Sequence, residues 1–304
     1  AIEPSMAIFV KYEFWPAYLR ALKKANIPTY SISSIFRPQQ LFFKPWGKPY
    51  LNLLKCFTQL FVQDADSHAL LLKHGIANSV VTGDTRFDRV AEIQQAHKDI
   101  LVVQRFIEGS DKVIIAGSTW PKDEQLLAQY MQTLENRLDS NENIKLIIAP
   151  HEIDEKHMHF LFQLFKGRYV RYTQANHISM QHMQVLIIDT IGLLSSIYQY
   201  GTAAYIGGGF GAGIHNSLEA AVYGIPVIWG PKYQRFREAK GLIQSGAAQS
   251  IANYKQLEMA LDYALNNHTE IGIKSAQYVQ NELGATDKLY NRLFKNQKSR
   301  HLEI

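Results

Sequence analysis

The most constraining feature of this sequence is a glycine-dense segment between two short apolar runs. Residues 203–206 and 226–229 have the length and composition of buried β-strands. Between them, the loop 207–213 is rich in glycine, which lets the backbone approach a ligand closely. A helix is predicted over residues 217–223. The order strand, loop, helix, strand predicts part of a parallel α/β sheet, and the helix N-terminus beside the loop suits an anion such as a nucleotide phosphate.

The residues at the start of this helix carry more specific chemistry. His215 and Asn216 lie at its entrance, and Glu219 follows within one turn. A carboxylate at that position can accept hydrogen bonds from both hydroxyls of a ribose whose phosphate lies at the helix end. The alternative is that Glu219 only complements the helix dipole and that the glycines only form a turn. The spacing differs from G-x-G-x-x-G, so the dinucleotide-binding fingerprint is absent.

The rest of the chain alternates apolar strands with helical segments, which predicts parallel sheets covered by helices. A length of 304 residues is natural for two domains. We expect the first domain over residues 1–108, ending in a polar helical connector, and the second over 109–304. In open α/β sheets ligands bind outside the carboxyl ends of the strands. Polar residues follow four predicted strands of the second domain: Ser118 and Thr119, His151 and Glu152, Asp189 and Thr190, and the glycine loop.

Cysteine and histidine usage limits the classes of site. Cys56 is the sole cysteine and lies in an apolar run, which excludes a disulfide framework and fits a reducing compartment. The eleven histidines show no H-E-x-x-H pattern, so we expect no metal ion. The sequence also contains no apolar run of membrane-spanning length and no recognisable signal peptide.

Positive charge is concentrated in the first third of the chain. Residues 1–100 hold twelve Lys and Arg against eight Asp and Glu, which is +4 of the net +5. Within residues 36–50, Arg37, Lys44 and Lys48 alternate with aromatic side chains, so we predict that they face an anionic membrane surface or a phosphorylated lipid. Nucleic acid is not expected, because no basic run or nucleic-acid-binding module is present. A solvated basic face over an aromatic core remains the alternative.

Two segments near the N-terminus resemble signatures of the 3-deoxy-D-manno-octulosonic acid (Kdo) transferases. Residues 11–16 (KYEFWP) are similar to E-x-E-L/F-W-P, with Lys11 in place of the first glutamate. Residues 82–88 (TGDTRFD) resemble T-G-N-x-K-F-D, with Asp84 and Arg86 as substitutions. Further segments match in the order of the family: 116–119, 150–152, 207–208, 215–221, 230–231 and 284–286. The resemblance spans nearly the whole chain.

The resemblance implies an inverting glycosyltransferase built from two Rossmann-like α/β domains of the GT-B type. The implied reaction moves Kdo from CMP-Kdo to a phosphorylated lipid A precursor in lipopolysaccharide biosynthesis. It would take place at the cytoplasmic face of the inner membrane, with the protein bound peripherally and without an obligate metal or cofactor. The resemblance implies Glu13 as a catalytic residue in the cleft, and it implies a CMP-Kdo site formed by Ser118, Thr119, His151, Glu152, Gly208, His215, Asn216 and Glu219.

The chain departs from the family at its N-terminus. Family members begin with a membrane-anchoring segment and a first α/β portion whose loop holds the glutamate thought to act as base, and residue 1 corresponds to a point beyond both. We therefore expect an incomplete N-terminal domain, a main base outside this chain, and CMP binding without detectable Kdo transfer. Two other functions stay open: a GT-B enzyme that uses a UDP-sugar, and a non-catalytic fragment that binds a nucleotide or lipid.

Overall fold

The computed structural model of the protein describes residues 3–137, 142–177, 180 and 182–295. The chain forms two compact units. Unit 1 comprises Ala1–Arg89 with Glu282–Ile304, and unit 2 comprises Val90–Asn281. This division differs from the expected boundary between residues 108 and 109, and from the assignment of the whole C-terminal end to the second domain.

Unit 1 contains a four-stranded sheet whose strands are all parallel and lie in chain order, β1-β2-β3-β4. Phenylalanine and leucine side chains from the helices and loops fill the core on one face of this sheet. The elements in chain order are β1 (Ala7–Val10), α1 (Pro16–Lys24), β2 (Thr29–Ser34), α2 (Lys48–Leu54), β3 (Gln59–Val62), α3 (Ala65–Lys73), β4 (Ser79–Val81) and α4 (Thr85–Gln95), which runs on into unit 2.

Unit 2 contains a seven-stranded parallel sheet, and its central strands are continuous apolar runs because both of their faces are covered by helices. The strand order is β11-β10-β9-β5-β6-β8-β7. The elements are α5 (Leu101–Ile107), β5 (Lys112–Thr119), α6 (Pro121–Glu135), β6 (Ile144–Pro150), α7 (Glu155–Leu164), β7 (Tyr169–Arg171), β8 (Val185–Ile187), α8 (Leu194–Ile197), β9 (Ala203–Ile206), α9 (Leu218–Ala221), β10 (Val227–Trp229), α10 (Arg237–Gln244), β11 (Ala248–Ser250), α11 (Tyr254–Asn266) and α12 (His268–Asn281).

The topology of this sheet creates a crevice beside β5. The chain places β6 on one side of β5 and β9 on the other, so the direction of strand addition reverses there. Such a switch point leaves a gap between the loops that follow the two strands, and ligands of open α/β sheets bind in it. Ser118 and Thr119, the last two residues of β5, lie on one side of this gap, and the glycine loop after β9 lies on the other.

The C-terminal helix α13 (Ala285–Tyr290) belongs to unit 1. Leu289 and the following Leu293 pack with Tyr30 and Phe61 of the sheet. Asp88 fastens the start of this helix: its carboxylate accepts from the amides of Gly284 and Thr286, each at 2.7 Å, and from the Thr286 hydroxyl at 2.8 Å. Two segments that resemble family signatures, 82–88 and 284–286, thus lie together.

The predicted parallel α/β class is confirmed, and the differences are local. The predicted polar connector is two helices, α4 and α5, and Val102, Val103 and Phe106 of α5 are buried in unit 2. The strands β7 and β11, with three residues each, and the helix α12 were not predicted. Three-residue strands are too short to show a period in the sequence. Within the described ranges, no helix combines the length and the apolar character needed to cross a membrane.

Candidate functional site

The glycine loop is held against its neighbours by direct backbone contact. The amide of Gly207 donates to Gly117 O at 2.9 Å. A Cβ on Gly207 would lie 2.2 Å from Ser118 O, and a Cβ on Gly209 would lie 2.6 Å from the amide nitrogen of Gly230. Ser118 has a φ of +53°, in the left-handed region that non-glycine residues rarely adopt. Only glycine fits at these two loop positions, so the loop after β9 lies directly on the ends of β5 and β10.

Asp123, in the first turn of α6, joins the loop after β5 to the glycine loop. One carboxylate oxygen accepts from the amides of Trp120 and Gly208, both at 3.0 Å. The other accepts from the Tyr205 hydroxyl at 2.7 Å. The residue is only 1% exposed. Burial raises the pKa of Asp123, and the three hydrogen bonds oppose that rise. Because one buried group satisfies three donors, the two loops are fixed relative to each other.

Three aromatic rings are in contact at this site, those of Trp120, His151 and His215. The Trp120 indole Nε1 donates to His215 Nε2 at 3.1 Å, and the two rings are nearly parallel, with an interplanar angle of 14°. The exposed His151 ring stacks on both, with its centroid 4.8 Å from Trp120 and 4.2 Å from His215. Burial and the neighbouring His151 lower the pKa of His215. The sequence predicted that His151 and His215 share a site, and the structure brings them into contact.

Asn216 and Glu219 form a second pair beside the loop. The Asn216 side-chain amide donates to Glu219 Oε1 at 2.8 Å, and both residues are half-buried. Burial raises the pKa of Glu219, and the hydrogen bond from Asn216 opposes it. Glu219 has a second carboxylate oxygen, and carboxylate oxygens accept hydrogen bonds from hydroxyl donors. The predicted geometry for a ribose is therefore compatible with the structure.

The helix predicted over 217–223 is much shorter than expected. α9 spans four residues, and the side chain of Ser217, which precedes it, makes no capping hydrogen bond. Asn216 Oδ1 accepts weakly instead from the amide of Leu218, at 3.3 Å. A macrodipole grows with the number of aligned peptide units, so one helical turn attracts an anion only weakly. The expected anion site at this helix end stays a prediction, with less support from the helix dipole than a longer helix would give. In the glycine loop, the amides of Gly207, Gly208, Gly211 and Gly213 already donate to acceptors of the protein.

Thr119 and Glu152 differ in solvent exposure. The Thr119 side chain is buried, and its hydroxyl donates to Glu124 Oε1 at 2.9 Å. Glu124 is itself 0% exposed and lies 2.9 Å from His157 Nε2. Thr119 therefore faces a buried polar cluster and can support the site only from behind. Glu152 is exposed in the loop after β6.

Glu152, Asp154 and His157 are close enough to share a cation, since one ligand atom of each lies within 4.8 Å of the others. Two of the three already have other partners. Asp154 Oδ1 caps α7 by accepting from the amides of Lys156 and His157, at 3.0 and 3.1 Å. His157 Nε2 contacts Glu124. These contacts explain the cluster as part of a helix cap. The expectation that the protein needs no metal is untested and stays a prediction.

The catalytic residue predicted in unit 1 lies on an exposed turn. Glu13 precedes α1, and its carboxylate accepts a hydrogen bond from the Trp15 indole. Trp15 is itself exposed. Glu13 is therefore solvent-accessible and held by one neighbouring side chain.

The basic aromatic stretch of unit 1 divides into buried and exposed parts. Phe36 is buried, and Phe42 and Phe43 pack against the core. Lys48 is exposed, Arg37 and Lys44 are half-buried, and Trp46 is 71% exposed. The stretch has features of both interpretations. Its phenylalanines pack in the core, and its cations and the Trp46 indole reach the surface.

Comparison with known proteins adds the decisive observation. Residues 1–89 match the family model of the 3-deoxy-D-manno-octulosonic-acid transferases (kdotransferases). The Kdo transferase of Rickettsia bellii is 24% identical over 285 residues, which cover 90% of this chain and 65% of the relative. That of Bordetella pertussis is 25% identical over 267 residues, covering 86% of this chain and 61% of the relative.

The chain is similar in sequence to the Kdo transferases. The resemblance in the signature segments is thereby confirmed over most of the chain. The chain spans about three fifths of the length of the curated Kdo transferases that it matches.

Solved structures show the same fold. The C-terminal CMP-Kdo binding domain of WaaA from Acinetobacter baumannii superimposes with a TM-score of 0.51 at 19% identity, over 64% of this chain and 97% of that domain. The UDP-GlcNAc 2-epimerase of Neisseria meningitidis bound to UDP-GlcNAc gives a TM-score of 0.66 at 14% identity, over 96% of this chain and 76% of its own. These neighbours confirm the predicted α/β class with parallel sheets and fit the GT-B type.

Two residues of the site in this Kdo transferase relative were missed by sequence reasoning. Trp120 directly follows the Ser118–Thr119 pair, but an aromatic residue before a predicted helix is usually assigned to packing. Asp123 resembles a first-turn acid that complements a helix dipole. The available signal was position, since both residues follow the carboxyl end of the central strand β5.

Proposed function

We propose that this chain is the CMP-Kdo-binding and acceptor-facing part of an inverting glycosyltransferase that moves Kdo to a phosphorylated lipid A precursor. The observation that carries the proposal is the cluster at the switch point of unit 2. There the glycine loop, the His151–Trp120–His215 stack and the Asn216–Glu219 pair converge beside the end of β5. The family match over residues 1–89 supports Kdo as the transferred sugar.

In this proposal the donor is held by hydrogen bonds and without a metal. The hydroxyl of Ser118 donates to the phosphate of CMP, the glycine loop lets that phosphate approach the backbone closely, and Glu219 accepts from the ribose hydroxyls. Donors placed where negative charge develops stabilise the departing nucleotide as its bond to Kdo breaks. Because the acceptor hydroxyl attacks from the opposite side, the anomeric configuration inverts. His151 and Glu152 border the same crevice on the β6 side.

Unit 1 is proposed to serve the acceptor. If the chain itself transfers Kdo, against the expectation of a main base outside it, Glu13 is the group that would take the proton from the acceptor hydroxyl, which is the work of a general base. Arg37, Lys44 and Lys48 would meet phosphates of the lipid or of the cytoplasmic face of the inner membrane, and Trp46 would enter the interfacial region. The partner class is thus an anionic lipid.

Calorimetric titration of the protein with CMP and UMP tests the donor proposal directly. We expect CMP to bind and UMP to bind at least tenfold more weakly, since a site for CMP-Kdo must distinguish the two bases. Tighter binding of UMP would favour a UDP-sugar enzyme of the same fold, as among the solved neighbours. Binding of CMP without transfer of Kdo from CMP-Kdo is the result that the sequence predicts for this chain, and binding of neither nucleotide would contradict the donor proposal.

A further inference from the structure

The hydrogen bond between Trp120 and His215 determines where His215 carries its proton. The indole Nε1–H can only donate, so His215 Nε2, 3.1 Å away, must accept. A neutral imidazole has one donor and one acceptor nitrogen, so the proton of neutral His215 lies on Nδ1. Burial and the nearby His151 lower the pKa of His215, which favours the neutral ring at neutral pH.

The position of the indole is itself fixed by the surrounding structure. The Trp120 amide shares one oxygen of buried Asp123 with the amide of Gly208. A Cβ on Gly208 would lie 2.9 Å from His215 Cδ2 and 3.1 Å from Nε2, so the acceptor edge of the imidazole lies on the glycine loop. His151 covers the two coplanar rings from one side. The imidazole therefore has little freedom to rotate or to exchange its donor and acceptor nitrogens.

We propose that Trp120 is a positioning residue of the donor site: its indole holds His215 as the Nδ1–H tautomer, so that His215 offers an uncharged N–H donor to the anionic nucleotide. Trp120 acts through His215 and contacts the nucleotide only indirectly. A group fixed in this way needs no reorganisation when the ligand binds. This inference rests on the proposed function for the identity of the ligand, but the tautomer can be measured without any ligand.

The test compares two tryptophan substitutions in unit 2. Trp120→Phe keeps an aromatic ring for stacking on His151 and removes the N–H donor. Trp229→Phe is the matched control, because the Trp229 indole is buried and its Nε1 has no hydrogen-bond partner among the residues that the structure describes. Long-range proton–nitrogen NMR correlations report which ring nitrogen of His215 is protonated, with the signals assigned by their loss in His215→Gln.

In the parent protein at neutral pH we expect a protonated Nδ1 and an unprotonated Nε2 on His215. Trp120→Phe should populate the opposite tautomer and weaken CMP binding in calorimetry by about three- to tenfold, the size of one neutral hydrogen bond. Trp229→Phe should leave both the His215 signals and the CMP affinity within about twofold of the parent, as expected where no hydrogen bond is lost.

Several results would overturn the inference. A protonated Nε2 in the parent would contradict the tautomer. A shifted tautomer with unchanged CMP affinity would leave Trp120 as a packing residue, and an equal loss in Trp229→Phe would point to general destabilisation. If UMP binds and CMP does not, only the proposal of CMP-Kdo as donor fails. The inference about Trp120 is then tested by comparing the UMP affinities of Trp120→Phe and Trp229→Phe. If neither nucleotide binds, both proposals fail.

Discussion

The two units use the same kind of parallel sheet but end their strands in different chemistry. In unit 2 the carboxyl edge carries buried carboxylates, Asp123 and Glu124, that bind amides, hydroxyls and a histidine. In unit 1 the corresponding edge carries hydroxyl groups and one buried carboxylate: Ser33 Oγ lies 3.0 Å from Thr85 Oγ1, and Asp84, which is 1% exposed, forms an ion pair with its neighbour Arg86 at 2.7 Å.

The difference shows how one architecture can be specialised. A buried carboxylate can satisfy several donors at once, so it can fix loops and the rings that those loops carry. In unit 1 the hydroxyls of Ser33 and Thr85 satisfy each other, the buried Asp84 is paired with Arg86 of its own segment, and the cation Lys48 is exposed. Unit 2 therefore has a preorganised edge suited to a small ligand, and unit 1 has a charged surface suited to a lipid headgroup. Both assignments belong to the proposed function.

The largest effect is expected at Glu13. If the chain transfers Kdo, contrary to the expectation from its sequence, Glu13→Gln should lower the kcat of that transfer by about 100-fold or more, since general-base assistance contributes 10²–10⁴-fold. The CMP dissociation constant should not change, because Glu13 lies in unit 1. Transfer from CMP-Kdo and calorimetry with CMP measure the two quantities, with Glu3→Gln as the exposed control in the same unit. Undiminished transfer would show that another group takes the proton.

The next effect compares two carboxylates that each accept three hydrogen bonds. Asp123→Ala in unit 2 should lower the free energy of unfolding by about 3 kcal/mol or more, because buried donors lose their partner. Asp88→Ala in unit 1 should cost only about 1 kcal/mol, because water can reach its half-buried donors. Denaturant titration measures both. Equal losses would contradict the contrast drawn between the two units.

Glu219 should separate binding from stability. Glu219→Gln should weaken CMP binding by about 1.5–3 kcal/mol, the size of a charge-assisted hydrogen bond. Stability should respond in the opposite direction. Because burial raises the folded-state pKa of Glu219 above the unfolded value, this residue destabilises the fold increasingly as the pH rises through that interval.

The variant lacks this titration, so its stability relative to the parent should rise as the pH increases above the ordinary pKa of a glutamate. Thermal unfolding across that range and calorimetry with CMP provide the measurements. If the affinity is unchanged, Glu219 has only the role of complementing the short helix.

The smallest effect is expected on the surface of unit 1. Lys48→Gln should weaken binding to vesicles with anionic lipid by about 1 kcal/mol, or about fivefold, since one cation near the surface contributes that much. Lys255→Gln, an exposed position in unit 2, is the matched control and should have no effect. Vesicle co-sedimentation at low and high salt measures both. Equal effects of the two variants would mean that net charge, not this surface, attracts the lipid.

Sequence reasoning found the residues of the crevice but not the contacts among them. His151 was predicted at a strand end and His215 at the entrance of a helix, and the family resemblance implied that both belong to one site. Thr119 was predicted beside them as a ligand contact, but its hydroxyl is directed to Glu124 in a buried cluster. Successive side chains of a strand point to opposite faces of the sheet, and the sequence does not show where this alternation ends and the loop begins. The direction of a single side chain at a strand end therefore cannot be predicted from the sequence.

The sequence by itself determined the parallel α/β class, the two-part organisation and the relationship to the Kdo transferases, because periodicity and signature segments are local properties of a chain. The tertiary structure decided the rest. It brought the C-terminal helix to unit 1, shortened the predicted helix at 217–223 to four residues, and joined Trp120 to His215 across 95 positions. These outcomes depend on backbone packing and on the pairing of buried donors with distant acceptors, and no local pattern encodes either.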